Sequence, residues 1–88
     1  MSAGPELPTP SFAVLVNQFF TQGMIELGEI KNPVTGEQNV APLRALFTIR
    51  MLELLRHKTV GNLEKEELAH LDNALGELKA RFDARRDR

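Results

Sequence analysis

Apolar residues recur along the chain at helical spacing. From Phe12 to Leu27 they fall three or four residues apart, which is the repeat of an amphipathic α-helix. Ser11 stands directly before this stretch and is a residue type that caps helix N-termini. Gly28 follows it and can adopt the left-handed conformation that ends a helix. The pattern predicts a first helix over residues 12–27.

A second apolar stretch begins at Pro42, which suits the first turn of a helix because its missing amide hydrogen has no partner there. The apolar residues that follow cover most of the helical circumference and do not form one stripe. They are Leu43, Leu46, Phe47, Ile49, Met51, Leu52, Leu54 and Leu55. The pattern predicts a central helix that contacts neighbours on two sides, with more apolar surface than one small core needs.

A third helix is predicted from about Lys65 to the mid-80s, after a turn at Gly61. Glu64 and Glu67 form an imperfect capping box at its start. Its apolar residues are spaced three and four apart, as in the seam of a coiled coil: Leu68, Leu71, Leu75, Leu78 and Phe82. The repeat lasts only about two heptads. We therefore favour packing against the other helices of the same chain, and a seam with another chain is the alternative.

These stretches predict an all-α fold, a small three-helix domain over residues 11–84. Residues 1–10 contain three of the five prolines and few apolar side chains, which predicts a flexible leader. The turn-forming residues between the first two helices predict a long loop that packs across the helix ends. Residues 85–88 are predicted to form a basic C-terminal tail.

Composition narrows the classes of protein. A chain of 88 residues buries only about 60–65% of the surface that its unfolded form exposes, so its stability is marginal without help. The absence of cysteine excludes disulfides and thiolate metal sites, which leaves oligomerisation as the leading source of further stability. The formal net charge is −1, so the chain has no excess of positive charge that would attract nucleic acid or anionic lipid.

The start of the chain and its hydropathy bear on location. Residues 1–10 have neither the basic start nor the apolar stretch of a secretory signal. No apolar run approaches the ~20 residues of a membrane span. We therefore expect a cytoplasmic protein without a membrane partner.

The segment from Ile49 to Glu67, IRMLELLRHKTVGNLEKEE, resembles the signature of an uncharacterised bacterial family, domain of unknown function 1844. The K-T-x-G-N-L element at residues 58–63 is the most specific part of this likeness. The loop after the first helix is also similar, so the resemblance extends from Phe12 to Phe82. The family name carries no activity, and the resemblance implies only the fold.

Two positions depart from the pattern of that family. Arg50 stands where the family tends to have aspartate, and Glu64 stands where it tends to have a capping threonine. Glutamate is a poorer N-cap than threonine. No role that needs a carboxylate on the second helix can be transferred to Arg50.

The residues that could carry chemistry form no catalytic pattern. His57 and His70 are the only histidines, and neither has a partner at the spacing of metal ligands. No hydroxyl has an oriented base, and no glycine-rich nucleotide motif is present. We therefore expect a protein that is not an enzyme and that holds no cofactor and no metal.

Two segments could bind a ligand. In the turn of Lys58, Thr59, Gly61 and Asn62, a lysine, a hydroxyl and free amides could hold an anion. A purely structural turn is the favoured interpretation. The basic stretch that leads into the tail is interpreted first as a solvated helix end, and contact with nucleic acid or an acidic partner is the alternative. Its basic residues are Lys79, Arg81, Arg85, Arg86 and Arg88.

The leading hypothesis is a protein–protein interaction or oligomerisation module, which forms a homo-oligomer or docks on another protein. Its candidate surface consists of Leu46, Met51, Leu54, Leu55, Leu68, Leu71, Leu75, Leu78 and Phe82. The alternative is a regulator that binds a small-molecule ligand or nucleic acid through the turn at residues 58–62 or the basic tail. Nucleic acid is the less favoured partner because the charges of the chain are balanced.

Overall fold

Three helices form the structure, a computed structural model that describes residues 7–86. Helix α1 spans Phe12–Glu26, α2 spans Pro42–Lys58 and α3 spans Lys65–Arg86. The range 7–86 contains no β-strand, and each helix packs against the other two. The predicted all-α, three-helix fold is confirmed. None of the helices in this range combines the length and the apolar character that crossing a membrane requires.

The helices begin at residues that the sequence singles out. The Ser11 hydroxyl accepts a hydrogen bond from the amide of Val14 at 3.1 Å, so that it caps α1. Pro42 is the first residue of α2. At the start of α3, the Glu67 carboxylate accepts a hydrogen bond from the amide of Glu64 at 2.8 Å, which is one half of a capping box.

Helix α1 ends in a Schellman motif around Gly28, whose φ is +75°. The Gly28 amide donates to the carbonyl of Ile25 at 3.0 Å, and the Glu29 amide donates to that of Met24 at 2.9 Å. The helix ends at Glu26, one residue before the predicted boundary.

The loop between α1 and α2 is fastened to the end of α1. The Gln38 side-chain amide donates to the carbonyl of Gly28 at 2.9 Å. The backbone amide of Ala41 donates to the carbonyl of Glu26 at 2.7 Å. The loop therefore packs across the end of the helix and holds the start of α2 against α1.

The core lies between the three helices and receives apolar side chains from each. Its buried members are Val16, Met24, Leu27, Ala45, Ile49, Leu52, Leu71, Ala74, Leu75 and Leu78. Gly23 allows α1 to approach the other helices closely, because a Cβ atom there would lie 2.8 Å from Cδ2 of Leu78 and 3.4 Å from Cγ2 of Thr48. The buried side chains of α2 are therefore covered by α1 and α3.

The C-terminal end of the chain differs in part from the predicted organisation. Residues 7–10 are exposed and have no regular secondary structure, and the rest of the predicted leader, residues 1–6, lies outside the described residues. Helix α3 continues through Arg86, so the predicted tail would begin inside the helix. Residues 87–88 lie outside the described residues.

Candidate interaction surface

Helix α2 carries apolar residues on two opposite faces. Its inner face consists of the buried residues Ala45, Thr48, Ile49 and Leu52. Its outer face, on the other side of the helix, consists of Leu43, Phe47, Arg50 and Leu54. Since these four positions are separated by four, three and four residues, they form a single stripe along the helix.

The outer face of α2 exposes large apolar side chains to solvent. Leu43, Phe47 and Leu54 are 82%, 66% and 50% exposed. The half-buried side chains of Leu46 and Met51 border the stripe. Isolated exposed apolar residues are common on protein surfaces, but several on one face of a helix are typical of an interaction site.

Charged groups lie along one edge of the outer face. The Nε atom of Arg50 lies 3.8 Å from Oε1 of Glu53, and the Arg50 side chain is 70% exposed. The other oxygen of Glu53 forms an ion pair with Lys79 on α3, whose Nζ lies 2.7 Å away. The outer face is thus bordered by paired charges on the side of α3.

The predicted surface residues divide into two groups in the structure. Leu54 lies on the outer face, Leu46 and Met51 border it, and Leu68 is 38% exposed. Leu55 and Phe82 are half-buried and pack against the core.

The prediction that Leu71, Leu75 and Leu78 belong to an interaction surface is wrong for the folded chain. Their exposed fractions are 0%, 6% and 0%. The reason is that the heptad stripe of α3 faces α1 and α2 of the same chain, where it fills the core. This is the intramolecular packing that the short repeat favoured.

Two residues of the outer face are absent from the predicted surface. Leu43 and Phe47 are its most exposed apolar members. The four-three-four spacing could have revealed them, but Arg50 interrupts the apolar stripe and obscures it.

The turn between α2 and α3 uses its polar groups to end the helix. The Thr59 hydroxyl donates to the carbonyl of Leu55 at 2.8 Å, so its hydrogen points towards the end of α2. Gly61 has a φ of +83°, a left-handed conformation that glycine adopts readily. The Asn62 amide donates to the carbonyl of Thr59 at 2.9 Å. These contacts favour the structural interpretation of the turn, in which Lys58 is exposed at the end of the helix.

Two arginines near the end of α3 form ion pairs with Glu29, the residue after Gly28. Nη1 of Arg81 lies 2.9 Å from Oε1 of Glu29, and Nη2 of Arg85 lies 3.0 Å from Oε2. Hydrogen bonding from Arg85, aided by the charges of both arginines, holds the pKa of Glu29 below its ordinary value. Arg81 and Arg85 therefore do more than end the helix in solvent, because they also fasten α3 to α1.

A buried carboxylate joins α1 to α2. Glu26 is 8% exposed, and its Oε1 accepts a hydrogen bond from the Thr48 hydroxyl at 2.6 Å. Its Oε2 accepts a hydrogen bond from the Gln22 side-chain amide at 2.9 Å. Both oxygens are satisfied by neutral donors, which allows the carboxyl group to be buried without an opposite charge.

A groove of about 570 Å³ lies between α2 and α3. The Arg56 guanidinium on one wall donates two hydrogen bonds to the Asp72 carboxylate on the other. These bonds lower the pKa of Asp72. His57 also lines the groove, whereas Nε2 of His70 lies 2.8 Å from Oδ1 of Asn17, between α3 and α1. Among the described residues, no group of three or more His, Cys, Asp or Glu side chains could hold a metal ion.

Comparison with known proteins gives a family without an assigned activity. No curated protein and no solved structure matches the chain. The family described as "Domain of unknown function (DUF1844)" matches residues 9–84. This match includes α1, α2, the loops and α3 up to its last two residues, and thus the whole outer face of α2. The chain therefore belongs to the DUF1844 family.

Proposed function

We propose that this protein is a protein–protein interaction module without catalytic activity, and that it binds through the outer face of α2. The observation that carries the proposal is the exposure of Leu43, Phe47 and Leu54 along one stripe of a helix whose other face is already buried. Complete burial of a leucine or phenylalanine side chain contributes about 1.5–3 kcal/mol. A partner that covered the stripe would therefore gain several kcal/mol from these side chains.

A comparison with α3 supports the assignment of the binding surface to α2. The solvent side of α3 carries mainly polar or small residues, namely Glu66, Asp72, Asn73, Gly76, Glu77, Lys79, Ala80 and Asp83. Such a surface has little apolar area to remove from water, whereas the outer face of α2 exposes Leu43, Phe47 and Leu54. Helices α1 and α3 each expose one large apolar side chain, Leu15 and Leu68, both 38% exposed, whereas α2 exposes three along one face.

The alternative of a ligand-binding or nucleic-acid-binding regulator has less support. Arg81 and Arg85, which a basic binding surface would use, donate hydrogen bonds to Glu29. The Thr59 hydroxyl, which an anion site would use, donates to helix carbonyls. Three of the residues that these sites would use, Thr59, Arg81 and Arg85, are therefore engaged in contacts within the chain.

Site-specific photo-cross-linking in cells tests the proposal. A photoreactive phenylalanine analogue replaces Phe47 in one variant and Ala80, on the exposed side of α3, in the control. We expect a covalent protein adduct from position 47 and none from position 80. The absence of an adduct at position 47, or adducts of equal yield at both positions, would overturn the proposal.

A second pair of substitutions checks that the adduct reports on the stripe. Leu54→Glu places a charge on the outer face, while Val34→Glu places one on an apolar residue that is 90% exposed in the loop. We expect Leu54→Glu to abolish the adduct at position 47 and Val34→Glu to leave it unchanged. The proposal also includes the cytoplasmic location expected from the sequence, which fluorescence microscopy of the tagged chain tests.

A further inference from the structure

We infer that the chain has a second binding site, a small cavity that takes a zwitterion with one ammonium group and one carboxylate, which is the chemistry of a free amino acid. This loop cavity has a volume of about 270 Å³ and lies between the end of α1, the loop after it and the start of α2. Apart from Ile25 and Ala41, its lining residues are polar. Leu43, Phe47 and Leu54 do not line it, so the loop cavity is distinct from the surface of the proposed function.

The buried carboxylate of Glu26 lines the loop cavity and has no positive charge beside it. Glu26 is 8% exposed, and each of its oxygens accepts one hydrogen bond from a neutral donor, Thr48 or Gln22. An ionised carboxylate accepts about two hydrogen bonds at each oxygen. Within residues 7–86, no cationic side chain pairs with it. A bound ammonium group would supply the missing charge and further N–H donors to a buried anion.

Arg44, in the first turn of α2, brings a positive charge to the same cavity. It lies one helical turn before Thr48, whose hydroxyl is 2.6 Å from Oε1 of Glu26. Arg44 and Glu26 nevertheless form no ion pair, and the exposed guanidinium has no polar partner in the part of the chain that the structure describes. The loop cavity therefore contains two opposite charges that do not neutralise each other.

The two charges together select the class of ligand. A simple cation would be attracted by Glu26 but repelled by Arg44, and a simple anion would meet the reverse. A zwitterion satisfies both, because its ammonium group pairs with Glu26 and its carboxylate pairs with Arg44. The planar guanidinium matches a carboxylate with two parallel hydrogen bonds.

The size and the polar lining of the loop cavity limit the ligand to a small one. Cavities that take drug-sized ligands have volumes of roughly 300–1,000 Å³ and mainly apolar walls. The loop cavity is smaller and mainly polar.

Hydrogen bonds within the loop hold the outer wall of the cavity in shape. The side-chain oxygen of Asn32 accepts from the amides of Val34 and Thr35, at 2.8 and 3.3 Å. The side-chain nitrogen of Asn39 donates to Oε1 of Glu37 at 3.1 Å. A site that is formed before the ligand arrives loses less conformational entropy on binding, which favours affinity for a small molecule.

Amide NMR spectra of the isotope-labelled full chain, titrated with each standard amino acid in turn, test for binding and locate it. We expect at least one amino acid to produce saturable shifts of the amides of Thr35, Asn39 and Ala41, which line the loop cavity. The amide of Leu54, on the outer face of α2, should not shift.

Substitutions then assign the two charges. Glu26→Gln should weaken binding by roughly 10- to 100-fold, because the ligand loses a hydrogen bond to a buried charged group. Arg44→Met should weaken it by roughly 5-fold, because this partner is exposed to solvent. The matched control is Arg50→Met, an exposed arginine on the same helix outside the cavity, which should leave the affinity unchanged.

Modified forms of the amino acid that binds test the same contacts on the unmodified chain, whether or not Glu26→Gln folds. Its N-acetyl derivative has no ammonium group and should bind at least about tenfold more weakly. Its methyl ester has no carboxylate, so it should bind the unmodified chain and Arg44→Met with equal affinity.

Three results would overturn the inference. The first is that no standard amino acid produces saturable shifts at millimolar concentration, and the second is that the shifts lie outside the loop cavity. The third is that the N-acetyl derivative binds as tightly as its parent, or that Arg44→Met binds as tightly as Arg50→Met. None of these results bears on the photo-adduct at position 47, which tests the proposed function separately.

Discussion

The inner and outer faces of α2 both carry large apolar side chains but have different surroundings. The inner face includes the small residue Ala45 and the polar residue Thr48, and it is buried. The outer face has the larger side chains of Leu43 and Phe47, and it lies in solvent. The difference teaches that two faces of one helix can both carry large apolar side chains, while the face that also has small residues is the one packed in the core. Small residues allow a neighbouring helix to approach.

The largest expected effect comes from shortening a leucine on each face. Leu52→Ala leaves a cavity in the core because Leu52 has no exposed surface, and it should lower the free energy of unfolding by about 2–5 kcal/mol. Leu54→Ala, on the outer face, should change it by less than about 0.5 kcal/mol in the monomer. Urea denaturation followed by far-UV circular dichroism at low protein concentration measures both. Equal losses would contradict the division into two faces.

The polar contact of the inner face should give the next largest effect. Thr48→Val removes the hydroxyl that donates to Oε1 of Glu26, and the buried carboxylate loses a partner. The free energy of unfolding should fall by about 1–3 kcal/mol. The matched control is Thr21→Val at an exposed position of α1, where little change is expected. Similar urea midpoints for the two variants would show that the buried contact contributes nothing.

Two helical glycines provide a smaller test of inner and outer positions. Gly76→Ala lies on the exposed side of α3 with no atom within 4 Å of the added Cβ, and the higher helix propensity of alanine should raise stability by up to about 1 kcal/mol. At Gly23, the added Cβ would lie 2.8 Å from Cδ2 of Leu78, so that the side chain must shift. We expect Gly23→Ala to raise the midpoint temperature of thermal unfolding by less than Gly76→Ala does. A larger rise for Gly23→Ala would mean that Leu78 moves away from the added Cβ without a loss of stability.

The smallest effect is expected outside both faces, where α3 is fastened to the end of α1. The pKa of Glu29 is lowered by Arg85, so this contact stabilises the fold above the ordinary carboxyl pKa and is lost as the pH falls through the lowered value. Glu29→Gln should therefore cost about 1 kcal/mol or less at neutral pH, and the difference from wild type should vanish in acid. Thermal unfolding across the pH range measures it.

A control and a contrary result complete this test. Glu66→Gln, in the first turn of α3, is far along the helix from Arg81 and Arg85 and should not reproduce the pH dependence. A loss in Glu29→Gln that stays constant down to acid pH would show that the carboxylate charge is not the cause.

The ends of the helices could be predicted because their signals are local. Ser11 caps the helix that follows it, Pro42 opens α2, and Gly28 closes α1 within one residue of the predicted end. Each of these residues acts on backbone groups within four positions, so a single stretch of sequence contains the whole cause. The three-helix fold follows from these boundaries and the helical repeat.

The candidate surface could be predicted only in part because it depends on distant neighbours. The apolar pattern of α2 indicates two covered faces but not which of them belongs to the chain itself. Burial of the inner face depends on Gly23 and Leu78, which are far away in sequence. The Glu26–Thr48 contact and the pairing of Glu29 with Arg85 likewise join residues that no local repeat connects.

The loop between α1 and α2 is a place where the chain can be lengthened without a change in the fold. The base of the loop is fixed by the hydrogen bond from Ala41 to Glu26, while its tip at residues 33–36 is exposed beyond a turn closed by the Gly36 amide and the Asn32 carbonyl. A doubling of loop length costs only about 0.6 kcal/mol in closure entropy. A peptide inserted between residues 34 and 35 should therefore leave the helices intact, so that an epitope or reporter can be carried within the chain.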